Sequence, residues 1–328
     1  MKDLNRVIEN YDFYHCIERE GYIFTAVTEP ANVLDAIVIR KPENSSAISP
    51  KLTFSFKTLE EHIDFINKYK IEKACVIAEN IDFLVKCPSL KYLRIIPARS
   101  AKENFDYSPL YKMPEIKYLM VDTEYGEYDS WFVTTIDYSQ IKGLLEVWID
   151  GKGHENYNQI DTVEEMYISN LKIDDLTGLR NCKKLKKLDL MKTKIKSLNG
   201  IEHLSELQQL NLDYERVLYD VSDIIKTADT LRYLSIYNCP KITDFSFLHK
   251  MVNLEYLDLN GKNILSDLHF LKEMPRLKGF NFSMEIADGD LTPCLKIPYV
   301  DSQKNRKGYN LKNKDLPKNH DKKGFKLI

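Results

Sequence analysis

The sequence predicts an α/β repeat solenoid, and three observations carry that prediction. An apolar frame of the form L-x-x-L-x-L, with any bulky apolar residue at the L positions, returns along most of the chain. Each x-L-x-L-x stretch alternates, which makes a short strand with one buried face. A second apolar set follows each strand across a turn and brings the chain back, so that one strand and one return complete a unit.

The frame fits at Ile71/Ala74/Val76, Leu90/Leu93/Ile95, Ile116/Leu119/Val121, Leu144/Val147/Ile149 and Val163/Met166/Ile168. It continues at Leu185/Leu188/Leu190, Leu207/Leu210/Leu212, Leu231/Leu234/Ile236, Leu254/Leu257/Leu259 and Leu277/Phe280/Phe282. Successive frames lie 19, 26, 28, 19, 22, 22, 24, 23 and 23 residues apart. The return set is Ile195, Leu198, Ile201 and Leu204 in the unit from Leu185, and Ile173, Leu176, Leu179 and Cys182 in the unit from Val163. No unit can cover its own apolar side. Burying a Leu or Ile contributes about 1.5–3 kcal/mol, against an ordering entropy of about 1–2 kcal/mol per residue, so only the stack folds.

These frames resemble the short, roughly 22-residue class of bacterial leucine-rich repeats, the internalin-like ones. The resemblance covers residues 71–285 and is clearest in the run CKKLKKLDLMKTKIKSLNGIEHLSELQQLNL. It implies a parallel sheet along the concave face, with short extended or 3₁₀ segments on the convex side. One feature departs from the family. The ladder Asn, three residues after the last strand Leu, is replaced by Glu79, Ala98, Glu124, Lys152, Leu171, Thr193, Glu215, Cys239, Lys262 and Glu285. Of these, Cys239 and Thr193 are the expected stand-ins.

Residues 1–70 do not repeat and read as a small N-terminal α/β cap. Strands are expected at 21–27, 35–41 and 51–56, then a helix opened by a capping box at Thr58–Glu61. The solenoid occupies 71–285. Residues 286–328 read as a C-terminal cap, with one last strand at Ile297/Val300, grading into a tail with nine Lys or Arg against two acids beyond Ser302. The stretches DGDLTPCLKIPYV and YNLKNKDLPK resemble the ends of uncharacterised bacterial leucine-rich repeat proteins, which implies kinship but no activity.

A net charge of -2 gives no overall field toward nucleic acid or an acidic membrane. The N-terminus has no apolar h-region and no apolar run approaches a membrane span of roughly 18 residues. The six cysteines are scattered, without a CxxC pair. A cytoplasmic location follows as an expectation.

Function is expected on the strand residues that point away from the core. They form three columns, rich in Tyr and Trp, with seven acids to three bases (Lys73, Arg94 and Lys187). Aromatic anchors in polar surroundings suit protein binding, and the acids would favour a basic partner. The candidate partner-binding residues are Tyr92, Tyr118, Asp122, Glu146, Trp148, Asp150, Glu165, Tyr167, Asp189, Asp213, Tyr233, Tyr237, Tyr256 and Asp258. The plain alternative is that Tyr suits strands and acids solvate a sheet. Two inserts, at 98–109 and 122–135, exceed the repeat frame; the second would carry Tyr125, Tyr128, Trp131 and Phe132 in a loop.

No catalytic constellation stands out: no HExxH, P-loop, GxGxxG or GxSxG is present. His203, His249 and His269 sit singly in separate repeat turns, Gly151–His154 reads as a plain turn, and Ala287–Asp290 lacks the ligands of a calcium loop. The expected function is therefore a non-catalytic protein–protein interaction module with no cofactor and no metal, in a narrower form an intracellular regulatory or immunity-type protein. The alternatives are nucleic-acid contact through the basic tail and an unrecognised enzyme.

Overall fold

Every frame position except Ile71 is buried, and Ile71 is half-buried. That single fact organises the structure, a computed structural model that describes residues 6–8, 16–25, 35–40, 57–98, 101, 104–127 and 130–319. The chain divides into two units, Met1–Thr162 and Val163–Ile328.

The first unit opens with β1 (Arg6–Ile8), β2 (Cys16–Arg19) and β3 (Tyr22–Thr25), paired antiparallel. No periodicity announces β1 and β2, which are too short to show one. β4 (Ala36–Arg40) runs antiparallel to β3 but parallel to β5 (Lys73–Ala78), with helix α1 (Leu59–Tyr69) between them. The capping box forms as expected: Thr58 Oγ1 accepts from Glu61 N at 3.2 Å, and Glu61 Oε2 accepts from Thr58 N at 2.7 Å. The strand expected at 51–56 lies outside the described residues.

Parallel pairing continues through β6 (Tyr92–Pro97), β7 (Tyr118–Val121) and, further along the chain, β11 (Glu146–Asp150). The first insert contributes the short helix α2 (Ser108–Tyr111) and turns Phe105 and Tyr107 into the core. The second insert is a hairpin rather than a loop, with β8 (Glu124–Glu127) antiparallel to β9 (Ser130–Val133). β10 (Ile136–Asp137) then pairs parallel with β12 (His154–Glu155).

The turn at Gly151–His154 does more than punctuate. His154 is buried, with Nδ1 2.9 Å from Tyr138 Oη and Nε2 3.2 Å from Thr123 Oγ1 and 3.1 Å from Asp150 O. Gly153 has φ +82°, and a Cβ there would sit 2.1 Å from Thr134 O. Only glycine fits.

In the second unit β13 (Glu165–Ser169), β14 (Lys187–Met191), β15 (Gln209–Asp213), β16 (Tyr233–Tyr237) and β17 (Tyr256–Asn260) pair parallel and in phase. Leu188, Leu210, Leu234 and Leu257 are consecutive register partners on the buried side. After β18 (Ile264–Leu265), β19 (Gly279–Phe282) joins β17, while β20 (Glu285–Ile286) pairs with β18. β21 (Tyr299–Ser302) joins β19, so a strand forms where Ile297/Val300 predicted one.

The second unit's return segments are 3₁₀, at Thr177–Leu179, Ile201–His203, Ser222–Thr227, Ser246–Lys250, His269–Glu273 and Thr292–Lys296. An aspartate opens most of them. Asp175, Asp220, Asp244, Asp267 and Asp290 each accept from the backbone N two residues on, at 2.7–3.0 Å. This Asx turn supplies an acceptor to an N–H that a short helix leaves open.

The missing ladder Asn is replaced piecemeal. Glu215, fully buried, accepts from Thr193 N at 2.9 and 3.1 Å and from Thr193 Oγ1 at 3.0 Å. Cys239 Sγ donates to Leu212 O at 3.3 Å, Asn263 Nδ2 donates to Cys239 O and Ile242 O, and Ser283 Oγ accepts from Gly261 N. Cys239 serves as expected; Thr193 is instead the residue served, by Glu215, which takes the role unexpectedly because a carboxylate here meets donors only.

The segment after Ser302 closes the stack as far as Asn319. Asn310 Oδ1 accepts from Leu291 N at 2.8 Å, and Asn313 Oδ1 accepts from Ser302 N at 2.9 Å. Two of its cations are engaged: Arg306 lies 3.1 Å from Glu285, and Lys318 3.4 Å from Asp301. Residues 320–328 of the predicted tail lie outside the described residues.

Two stability outcomes follow. Leu210→Ala or Leu234→Ala should each cost about 2–5 kcal/mol in urea unfolding, because a mid-stack cavity cannot collapse, while Gln209→Ala should stay within about 0.5 kcal/mol. Glu215→Ala should cost about 1–3 kcal/mol by leaving the Thr193 donors buried without acceptors, and Glu215→Gln, which keeps an acceptor, distinctly less.

Candidate partner-binding surface

Within each unit strand alternation places the predicted residues on the face opposite the core, and their exposure varies more than the pattern suggested. In the first unit Tyr92, Asp122, Glu146 and Trp148 are half-buried and Asp150 is exposed. Tyr118 is only 2% exposed; it packs within the face rather than standing on it. Cys75, also placed on this face, is buried. The groups pair locally. Lys73 Nζ lies 2.9 Å from Asp35 Oδ2 and over the Tyr92 ring, 5.4 Å from its centroid. Trp148 Nε1 donates to Glu146 Oε1 at 3.3 Å. Burial raises the Asp122 carboxyl above its ordinary range, although Arg94 pulls it back.

In the second unit Glu165, Tyr167, Asp189, Asp213, Tyr233 and Asp258 are half-buried and Tyr237 is exposed. Tyr256, 6% exposed, packs against the Tyr233 ring at 6.5 Å between centroids. One cation serves the β13–β14 end. Lys187 Nζ hydrogen-bonds Tyr167 Oη, lies 4.5 Å from that ring's centroid, and sits 3.5 Å from Glu165 and 3.9 Å from Asp189. Asn211 Nδ2 donates to Asp189 Oδ1, and Tyr233 Oη donates to Asp258 Oδ2 at 2.8 Å.

Burial, not hydrogen bonding, dominates the acids of this face. It pushes Asp189 up to about 6 despite Lys187, and it raises Asp213 and Asp258. The Asx aspartates move the other way, held down by Ser or Thr hydrogen bonds at Asp175, Asp220, Asp244 and Asp290.

The polar neighbours that complete the face, Asn211, Ser235 and Asn260, were visible as column positions. Their importance was not, because a single Asn or Ser carries no pattern. Of the histidines, His249 Nδ1 meets Glu273 at 3.0 Å and His269 Nδ1 meets Asp267 at 3.3 Å, each on an exposed return segment. In the 287–290 stretch Asp290 accepts from Thr292 N and from Asn310 Nδ2. Among the described residues no group of three or more His, Cys, Asp or Glu could hold a metal ion, and no helix is long and apolar enough to cross a membrane.

Comparison with known proteins agrees with this architecture. A family profile, Leucine Rich repeats (2 copies), matches residues 229–273. The internalin InlF of Listeria monocytogenes shares the fold at a TM-score of 0.53 and 18% identity, covering 72% of this chain and 73% of that one. Internalin C2 of the same organism gives a TM-score of 0.43 at 22% identity, covering 51% and 74%. The functional domain of its InlJ gives 0.46 at 18%, covering 70% and 47%. No curated protein matches the sequence. The chain has the leucine-rich repeat fold, with a repeat profile matching at residues 229–273, and that fold commonly mediates protein–protein interaction. Its repeats are internalin-like in fold.

Stability responds to pH through the two groups of acids and, in the opposite sense to the acids of this face, through His62 and His154, which burial holds below the ordinary imidazole value so that stability is lost as pH falls below about 6.5. A carboxyl whose folded value lies above its unfolded value of about 4 holds its proton more tightly in the folded chain, so stability rises as pH falls from 7 through about 6 toward 4. The Asx aspartates contribute stability that is present above about 4 and lost as pH falls through their depressed values. Asp189→Asn should therefore make the change in urea midpoint from pH 7 to pH 5 less favourable than in the unchanged chain, and both midpoints should drop by pH 3.

Proposed function

We propose that this chain is a protein-binding module whose exposed strand face takes a partner rich in basic side chains. The observation that carries the reading is the second unit's face, where half-buried or exposed Tyr167, Tyr233 and Tyr237 stand among Glu165, Asp189, Asp213 and Asp258 with Lys187 as the one basic column residue. Partly buried tyrosines offer large contact area at little entropic cost. Acids already desolvated by the fold are poised for a cation, since part of the desolvation cost falls on folding rather than on binding. In the first unit Tyr92 and Trp148 with Asp122, Glu146 and Asp150 present the same chemistry.

Among the described cysteines, Cys87, Cys239 and Cys294 are buried free thiols. Free thiols favour a reducing compartment, which supports a cytoplasmic location and, within it, the narrower role of a regulatory or immunity-type protein that covers another protein in the same cell.

The test is affinity capture from the source organism with the immobilised full chain, followed by mass spectrometry. Tyr167→Ala with Tyr237→Ala, and separately Trp148→Ala, should reduce recovery of the captured protein at least about tenfold, as loss of an interface anchor does, with unfolding midpoints little changed. Undiminished recovery by both variants would show that the partner binds elsewhere.

A further inference from the structure

One acidic locus on the second unit's face lacks a counter-charge. Asp213 ends β15 and Asp258 centres β17, on either side of β16. Between them the register places Ser235, paired with Asn211 on one side and Asp258 on the other, and Tyr237, paired with Asp213 and Asn260. Ser235 is the smallest of these side chains, so the floor between the two carboxylates is low. The two acids feel each other: Asp258 is among the causes that raise Asp213. Lys187 reaches Glu165 and Asp189, and among the described residues neither Asp213 nor Asp258 has an ion pair.

Asp258 accepts from Tyr233 Oη at 2.8 Å and from Asn281, both neutral donors, but two amide oxygens nearby go unserved. Asn260 is only 5% exposed, and its Oδ1 is buried without a hydrogen-bond partner. Strand alternation puts it on the same face as Asp258, next to Tyr237. The Oδ1 of Asn211 is likewise buried and unpartnered, and its orientation is fixed because Nδ2 is used on Asp189. Buried acceptors of this kind are normally satisfied. Here they adjoin two carboxylates, so what the place lacks is several N–H groups and a positive charge. Met191 and Tyr237, each 37% exposed, flank Asp213 in the same column and supply apolar walls.

We propose that Asp213 and Asp258 are the seat of one arginine side chain of a partner protein, with its guanidinium over Ser235 and its methylene stem along Met191 and Tyr237. The proposal rests on the protein-binding reading above and names the group that reading requires. A guanidinium carries five donors in a plane and is weakly hydrated, so it can serve carboxylates and amide oxygens at once; an ammonium offers three donors from one point. The chain displays a related arrangement at the other end of this face, where Lys187 lies over Tyr167 between Glu165 and Asp189. Tyr237 and the Asp213–Asp258 pair repeat that design with the cation left to come from outside.

The probe is N-acetyl-arginine amide, titrated into the full chain carrying ¹³C-methyl methionine, with the Met191 resonance assigned through Met191→Leu. A saturable shift of Met191 is expected, weakened at least about tenfold in Asp213→Asn and in Asp258→Asn, as loss of a close charge partner does; both variants are near-isosteric, and their melting curves report folding. An equal shift with the neutral N-acetyl-citrulline amide, an equally strong response to N-acetyl-lysine amide, or titrations unchanged in both variants would overturn the seat. If the amide binds as expected while no protein is captured by the affinity experiment, the seat stands and the protein-binding reading fails. If a captured protein binds both Asn variants undiminished, the reading stands and the seat fails.

Discussion

The structure depends on burial that no repeat can achieve alone. Each L-x-L strand presents two apolar side chains to one side, and each return segment supplies three or four more. Only a neighbour in register covers them, which is why Leu188, Leu210, Leu234 and Leu257 stand in line with no detectable exposure. Parallel strands in phase are the consequence, since a slip by one residue would send every side chain to the wrong face. The same constraint explains why both termini carry non-repeating structure. A stack has apolar ends, met here by β4 with helix α1 at one terminus and by β21 with residues 303–319 at the other.

Stacking also traps polar groups, and this chain satisfies them without the usual Asn ladder. The buried Glu215, the Cys239 thiol, Asn263 and Ser283 each meet turn groups of their own or a neighbouring repeat. A carboxylate in such a place is costly unless donors surround it. Thr193 provides two, and burial still leaves the Glu215 carboxyl reluctant to ionise. On the return side one solution recurs, because an Asp two residues ahead satisfies the first open N–H of five of the six 3₁₀ segments named above from outside the core.

On the opposite face the same half-burial that orders the side chains desolvates their charges. One end neutralises itself through Lys187; the other keeps Asp213 and Asp258 beside unsatisfied amide oxygens and exposed Met191 and Tyr237. A face that is ordered, partly dehydrated and short of cations is suited to a ligand that brings them. This is a property of spacing between rungs, since each acid alone would be an ordinary surface carboxylate.

By itself the sequence determined the repeat, the strands, the buried face and the three outward columns, because hydrophobic alternation and unit spacing are local and survive without coordinates. The capping box at Thr58 and the last strand near Val300 were legible for the same reason. Only the tertiary structure decided which column residues stay exposed. Tyr118 and Tyr256 pack down while Tyr237 stands out, and that depends on neighbours some two dozen residues away. It also turned the 122–135 insert into a hairpin, gave Glu215 its ladder role and made His154 a buried anchor. Those outcomes rest on where donors and acceptors from different repeats meet, and a linear pattern of apolar residues holds no record of that.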